Sequence, residues 1–331
     1  LISGVFIQSH KLTASDGTNG DHFGASISQF GDRAVIGAPF DDDVAYSSGS
    51  AYVFDFDSMN WSQTQKLKAL DAAQQDSFGL QTSLTADRIL IGAYFDDDNG
   101  IASGSAYVFE LNSGVWSQVQ KLTADDASAN NFFGSAVSVD NNRAMIGAFM
   151  ADGESVGSGA VYVFDLIAGT WVQSQKIFAS DGEIGDRFGN AISLLGHQVL
   201  IGSLYDDVYG IDTGSAYLFE LSDNFWFEKE KIIPADGMSR TIYGSDVSLS
   251  AEQAMIGAPF DNERGANSGS VYMFDVRGFI LALVPSYSVA SLCLLIFFLL
   301  GAVFLIRPLK HRSQQKHRLR RYPKRPVLRG Q

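Results

Sequence analysis

The chain has 331 residues, 46% of them hydrophobic and 18% charged, with 33 Gly and only 7 Pro, which excludes a disordered, a collagen-like or a coiled-coil chain. Its formal charge of −13 conceals a segregation: all 37 Asp and Glu lie before Val276 with only 13 of the 24 Lys and Arg, leaving −24 for residues 1–275 and +11 for 276–331. Asymmetry of that kind points to segments that live in different surroundings.

The chain opens at Leu1 without Met and without a basic n-region, so an export signal is expected to have been processed or cut away ahead of it. From there a 55-residue period runs without insertion. Phe23-Gly24, Phe78-Gly79, Phe133-Gly134, Phe188-Gly189 and Tyr243-Gly244 mark it. Ile36-Gly37-Ala38 and Gly49-Ser50-Ala51-Tyr52 recur at the same step, and Trp61, Trp116, Trp171 and Trp226 account for every tryptophan. Each unit carries four short β-prone runs, in the first unit Gly24–Gln29, Arg33–Ala38, Ser50–Phe56 and Trp61–Leu67, with turn residues between them. The expected fold is all-β: a propeller of four-stranded antiparallel blades in five repeats over residues 1–275. The last repeat stops after Tyr272-Met273-Phe274, and Gln8–Leu12 aligns with Thr64–Leu67, so the N-terminal strand is expected to complete the last blade. Five blades follow from that closure, and seven if further blades precede Leu1.

Phe23-Gly24 together with Gly37-Ala38-Pro39, repeated as Gly257-Ala258-Pro259, resembles the FG-GAP repeats of integrin α-subunit propellers. The fuller pattern, Lys11–Gly17, Gly20–Gly24, Asp41–Asp43 and Gly49–Phe54, is closer still to the tandem FG-GAP repeats of microbial surface proteins. The resemblance covers about residues 6–275 and implies the fold strongly and the ligand weakly. It departs from integrin blades at one point. Their D-x-D-x-D-G calcium loop lies between the FG and GAP strands, where this chain has only short, acid-poor turns such as Phe30-Gly31-Asp32-Arg33, so those calcium sites are not carried over.

The acids lie elsewhere. One set precedes FG: Asp16, Asp71, Asp126, Asp181 and Asp236, with Asp21, Asp76 and Asp186 five residues on. Another follows GAP: Asp41, Asp42, Asp43, Asp96, Asp97, Asp98, Asp152, Asp206, Asp207 and Asp261. In an antiparallel blade the connections into the first strand and from second to third emerge at the same end, which gathers 23 of the 37 acids on one face. Hard oxygen ligands at that density suit Ca²⁺, held where each blade's two loops meet; Asp-Gly and Asp-Asp as turn formers and solvated charge are the other reading. Repeat three, with Asn131 and Ala151 at aligned positions, is expected to hold the ion least well.

No catalytic constellation is present: there is no H-E-x-x-H, G-x-S-x-G, P-loop or Cys-His metal spacing, and His10, His22 and His197 occupy non-equivalent positions. The chain is therefore not expected to be an enzyme. Residues 279–306 carry no formal charge, and at about 1.5 Å per residue a helix of that length covers the roughly 30 Å hydrocarbon core. The basic tail, 307–331, fixes the topology as a single span with the tail cytoplasmic and the acidic part outside or luminal. Cys293, the only cysteine, lies within this span, so the propeller is held without disulfides. Asn60-Trp61-Ser62 is a glycosylation sequon. These features lead to a membrane-anchored recognition or adhesion module with a protein or glycan ligand outside the cell and no nucleic-acid partner. A surface lectin is the alternative, and a tethered hydrolase a more distant one.

Overall fold

The structure, a computed structural model, describes residues 8–237 and 239–276. Blade 1 contains β1 (Ile27–Phe30), β2 (Arg33–Ala38), β3 (Ser50–Phe56) and β4 (Trp61–Leu67). Blade 2 follows with β5 (Gln81–Leu84), β6 (Arg88–Ala93), β7 (Ser105–Asn112) and β8 (Val115–Leu122), and blade 3 with β9 (Phe133–Asp140), β10 (Arg143–Ala148), β11 (Ala160–Ile167) and β12 (Thr170–Ile177). Blade 4 has β13 (Phe188–Leu195), β14 (Gln198–Ser203), β15 (Ser215–Ser222) and β16 (Phe225–Ile232), and blade 5 has β17 (Val247–Leu249), β18 (Gln253–Ala258) and β19 (Ser270–Asp275). Each blade is an antiparallel sheet with its strands in chain order. Register repeats with the sequence: Ile36 faces Tyr52, Ile91 faces Tyr107, Ile146 faces Tyr162, Ile201 faces Tyr217 and Ile256 faces Tyr272.

In blades 1 to 4 the two central strands are buried on both faces, which is why they read as near-continuous apolar runs such as Arg88–Ala93 rather than as an alternation. Successive side chains point to opposite faces, so one blade feeds two cores. Val35, Ala51 and Val53 of blade 1 pack with Phe78, Ile89, Ile91, Tyr107 and Trp116 of blade 2, and the same grouping recurs between blades 2 and 3, 3 and 4, and 4 and 5. Among the described residues the apolar mass sits in these junctions and on the outer face of blade 1. A backbone contact stitches each one, with Gly49, Gly104, Gly159 and Gly214 bridging Phe78, Phe133, Phe188 and Tyr243. At Gly104, φ is +84° and an added Cβ would lie 2.0 Å from the Phe133 carbonyl oxygen, so the glycine is required by backbone contact across the junction.

Two expectations are corrected. Among the described residues blade 5 has three strands, and Gln8–Leu12 forms no strand; Leu12 and Ala14 pack instead on blade 1, beside Ile36, Ala38, Tyr52 and Phe54. The segment stands toward blade 1 as 63–70 stands toward blade 2: Ser15 N–H donates to Gln63 Oε1 as Leu70 N–H donates to Gln118 Oε1. Blade 5 also keeps one face uncovered among the described residues, whereas the face of blade 1 that carries Ile36, Tyr52 and Phe54 is covered by Leu12, Ala14 and Phe23. Met255, Val271 and Met273 are 39%, 65% and 59% exposed, whereas their counterparts in blade 3, Met145, Val161 and Val163, are fully buried. The span expected over 279–306 and the tail 307–331 lie outside the described residues, among which no helix is long and apolar enough to cross a membrane.

Candidate functional site

The loops before each FG and after each GAP meet at one end of the propeller, as the strand order requires. What they meet around is a lysine at the end of the blade's fourth strand. In blade 2, Lys121 Nζ lies 2.7 Å from Asp71, 2.8 Å from Asp96 and 2.6 Å from Asp98. The three carboxylates offer oxygens within 4.8 Å of one another, which is metal-ligand spacing with an ammonium at its centre. In blade 1, Lys66 Nζ lies 2.8 Å from both Asp16 and Asp41 and also pairs with Asp43. In blade 4, Lys231 Nζ lies 2.7 Å from Asp181 and from Asp206.

A buried tyrosine of the third strand completes each cluster. The Tyr107 hydroxyl donates to Asp96 at 2.7 Å, and Tyr52 and Tyr217 donate to Asp41 and Asp206 at the same distance. Each ammonium also stands over the ring of that tyrosine, for example Lys121 at 5.3 Å from the Tyr107 centroid. Electrostatics follow the geometry. Burial opposes the charge on Lys121, yet its hydrogen bonds to Asp71, Asp96 and Asp98 outweigh that and raise its pKa above the ordinary lysine value. Asp16 is lowered chiefly by its hydrogen bond to Lys66. Asp41, Asp71 and Asp181 are pushed up by burial but end below the usual carboxylate range because the lysine bonds prevail.

The variants are as informative as the repeats. Blade 3 has Ala151 where the others have the buried aspartate, and Lys176 keeps Asp126 alone, at 2.6 Å. Blade 5, without a fourth strand, supplies no lysine from its own repeat; the Tyr272 hydroxyl lies 2.8 Å from Asp236 and 2.9 Å from Asp261.

The remaining predicted ligands form a second layer. Asp21, Asp76 and Asp186 are buried and brace their own loops, accepting from the Thr18, Ala73 and Glu183 amides at 2.6, 2.6 and 2.7 Å. Burial pushes Asp76 up to about 6 against the pull of the Ala73 amide, and the charges of Asp96 and Asp97 add to it. Asp186 rises to about 6 for the same reason, with Asp206 and Glu183 as its crowding charges. Asp42 and Asp207 accept from the Ser47 and Asp212 amides at 2.6 and 2.7 Å, and Asp97 is exposed. In blade 4, Asp181, Glu183, Asp186, Asp206 and Asp207 line a cavity of about 280 Å³ with Lys231 on its wall.

The sequence reading missed the lysines. Lys66, Lys121, Lys176 and Lys231 recur at the repeat period in Gln-Lys-Leu, Gln-Lys-Ile or Glu-Lys-Ile, and that recurrence was the available signal. It also missed a clamp between outer strands: the Gln65 side chain donates to the Trp116 carbonyl at 2.6 Å and accepts from its N–H at 2.9 Å, as Gln120 does with Trp171 and Gln175 with Trp226.

No curated protein matches the chain. The solved structure of YjhT is similar over 76% of this chain and 79% of that one, at 14% identity and a TM-score of 0.42, a likeness that carries no argument. The FG-GAP repeat family matches residues 6–54, 61–109, 116–164, 171–219 and 226–274, the first match beginning ahead of blade 1 and the other four in the fourth strands of blades 1 to 4. With the repeat, the register and the junctions in agreement with those five matches, the chain belongs to the FG-GAP repeat family.

Proposed function

We propose that the propeller is the recognition module of a single-pass surface protein, anchored through residues 279–306, and that its acidic loop end meets the partner. The observation that carries this reading is the layering of charge at that end. The inner carboxylates are consumed by Lys66, Lys121 and Lys231, while an outer layer, Asp42, Asp97 and Asp207 among it, makes no ion pair among the described residues. An acidic rim on a rigid ring steers a cationic or cation-bridged partner and repels anions, nucleic acid included.

Calcium belongs to this reading as the bridging ion, and the donor set decides where it fits. It does not fit the inner clusters of blades 1, 2 and 4 while an ammonium stands within hydrogen-bond reach of the same oxygens. It fits the outer layer of blade 4, where Glu183, Asp186 and Asp207 crowd with no cation except Lys231 behind them. Oxygen donors there suit a six- to eight-coordinate ion of irregular geometry, and a bound cation would offset the charges of Asp206 and Glu183 that add to burial in raising Asp186.

The test uses the full chain in lipid vesicles, applied to immobilised extracellular proteins and to a glycan array, with calcium or a chelator. Binding to either surface that the chelator weakens is the expected result. An unchanged melting temperature in millimolar calcium removes the ion from the proposal, and silence on both surfaces removes the recognition role.

A further inference from the structure

Between blades 1 and 2 the loop end opens into a cavity of about 600 Å³. One residue accounts for it. The position before each Phe-Gly or Tyr-Gly pair has left-handed φ, between 53° and 59°, and is filled by His22, Ser77, Phe132, Arg187 and Ile242. In blade 3, the Phe132 ring fills the junction, 5.9 Å from Phe95 of the preceding blade and stacked at 5.2 Å on Phe149. In blade 4, Arg187 spans from Phe149 to Tyr205 at 5.4 and 4.5 Å. Blade 2 has Ser77 there, and the space between Phe40 and Phe95 is left open.

The walls of that space are chemically specific. Phe40, Phe95 and Tyr46 supply aromatic surface, with Tyr46 63% exposed. Asp42 and Asp97 supply carboxylates, Gln74 adds an amide, and no cationic side chain lines the cavity. Carboxylates accept, amides both donate and accept, and ring faces take C–H groups. A molecule complementary to all three presents many hydroxyls on a ring with an apolar face. Anions are excluded by the two carboxylates and the acidic rim. A simple amine would be content with the acids and rings and would leave the amide unused. The volume falls in the range of small-ligand sites, roughly 300–1,000 Å³.

We propose that this cavity binds a neutral saccharide of one or two rings, stacked between Phe40 and Phe95 and held through its hydroxyls by Asp42, Asp97 and Gln74. The proposal rests on the recognition reading and names a ligand class and a site for it; it uses none of the lysine-held clusters.

The probe is an array of neutral glycans, followed by calorimetric titration of the best-bound sugar into the full chain. Ser77→Phe copies the residue that blade 3 carries at the same φ, so it is expected to fold and to abolish binding by filling the cavity. Asp97→Asn is expected to weaken binding about 10- to 100-fold, the loss of a charged hydrogen bond. Asp223→Asn, at an exposed position in the turn between β15 and β16 of blade 4 and outside the cavity, is expected to leave affinity unchanged. If Ser77→Phe fails to fold, Tyr46→Ala, at an exposed position, takes its place. A bound glycan whose affinity Ser77→Phe and Asp97→Asn leave intact overturns the proposal, as does binding of choline or putrescine in place of sugars. A blank glycan array with calcium-dependent protein binding retained removes the saccharide site and keeps the recognition role; a blank on both removes both.

Discussion

Replacing Lys121 by methionine tests whether the lysine is the resident cation of its cluster. The substitution keeps the length and apolar body of the side chain and removes the charge. Three carboxylates whose oxygens lie within 4.8 Å then face one another without a counter-charge. Asp96 is the costly one, because its side chain is only 4% exposed; the side chains of Asp71 and Asp98 are 41% and 62% exposed and shed their repulsion to water. Breaking a buried pair costs about 3–5 kcal/mol, and each exposed pair adds at most about 1. For a domain of this size that corresponds to a fall in melting temperature of roughly 6–20 °C. Lys176→Met is the internal control, since Lys176 pairs only with Asp126, whose side chain is 51% exposed, and it should cost at most about 1 kcal/mol. The assay is thermal unfolding followed by circular dichroism at pH 7 in chelator, repeated in millimolar calcium, where Lys121→Met alone should recover part of its loss. Equal losses for the two variants, or a shift under about 2 °C for Lys121→Met, would refute the reasoning.

Three further outcomes follow from the same geometry. Ala151→Asp gives Lys176 and Tyr162 the partner that Asp96 gives Lys121 and Tyr107, and should raise stability by about 1.5–3 kcal/mol in chemical unfolding. Gly104→Ala drives a Cβ to 2.0 Å from the Phe133 carbonyl and should abolish soluble folding, whereas Gly114→Ala, at nearly the same φ but with open space around it, should cost only about 1 kcal/mol of unfolding free energy. The pH dependence has two limbs. Asp76 and Asp186 bind their protons more tightly folded than unfolded, so stability should fall as pH rises from about 4 to about 6. Asp16, Asp41, Asp71 and Asp181 are shifted the other way, so their contribution is present above their unfolded value and is lost as pH falls below about 4. Denaturant midpoints measured between pH 3 and 8 should therefore peak between those limbs, and asparagine at 76 and 186 should flatten the upper one.

Most of the fold was legible in the chain because the repeat states each local rule five times. The three later strands of blade 1 have the bounds read from sequence, and only the first starts late, at Ile27 in place of Gly24. Gly24 has φ +97°, and the turn it makes at the Phe-Gly step precedes the ladder in blade 1. The gathering of acids at one end was legible too, because it follows from antiparallel strand order alone. The counter-charge was not. Lys121 reads in sequence as one more polar residue of an outer strand, and only the lateral reach of β8 to the loops before FG and after GAP shows that its ammonium ends among Asp71, Asp96 and Asp98. The place of Gln8–Leu12 was half legible: its alignment with an outer strand is reproduced in its contacts with blade 1, while the sheet it would extend does not stand beside it. Ser77 was invisible for a different reason, because a cavity is the absence of a side chain that neighbouring repeats supply.

The uncovered face of blade 5 sets where the propeller comes apart. Blades 2, 3 and 4 are each gripped by a blade on both sides, and blade 1 by blade 2 on one face and Leu12, Ala14 and Phe23 on the other, whereas blade 5 has one neighbour among the described residues, so the blades form a short one-dimensional lattice with one weak end. Opening then begins at Met255, Val271 and Met273 and travels inward one junction at a time, because losing a blade strips one face of the next. Amide hydrogen exchange would display this as a staircase, fastest in β17–β19 and slower in each blade away from them, with steps 55 residues long rather than one cooperative limit for the whole propeller.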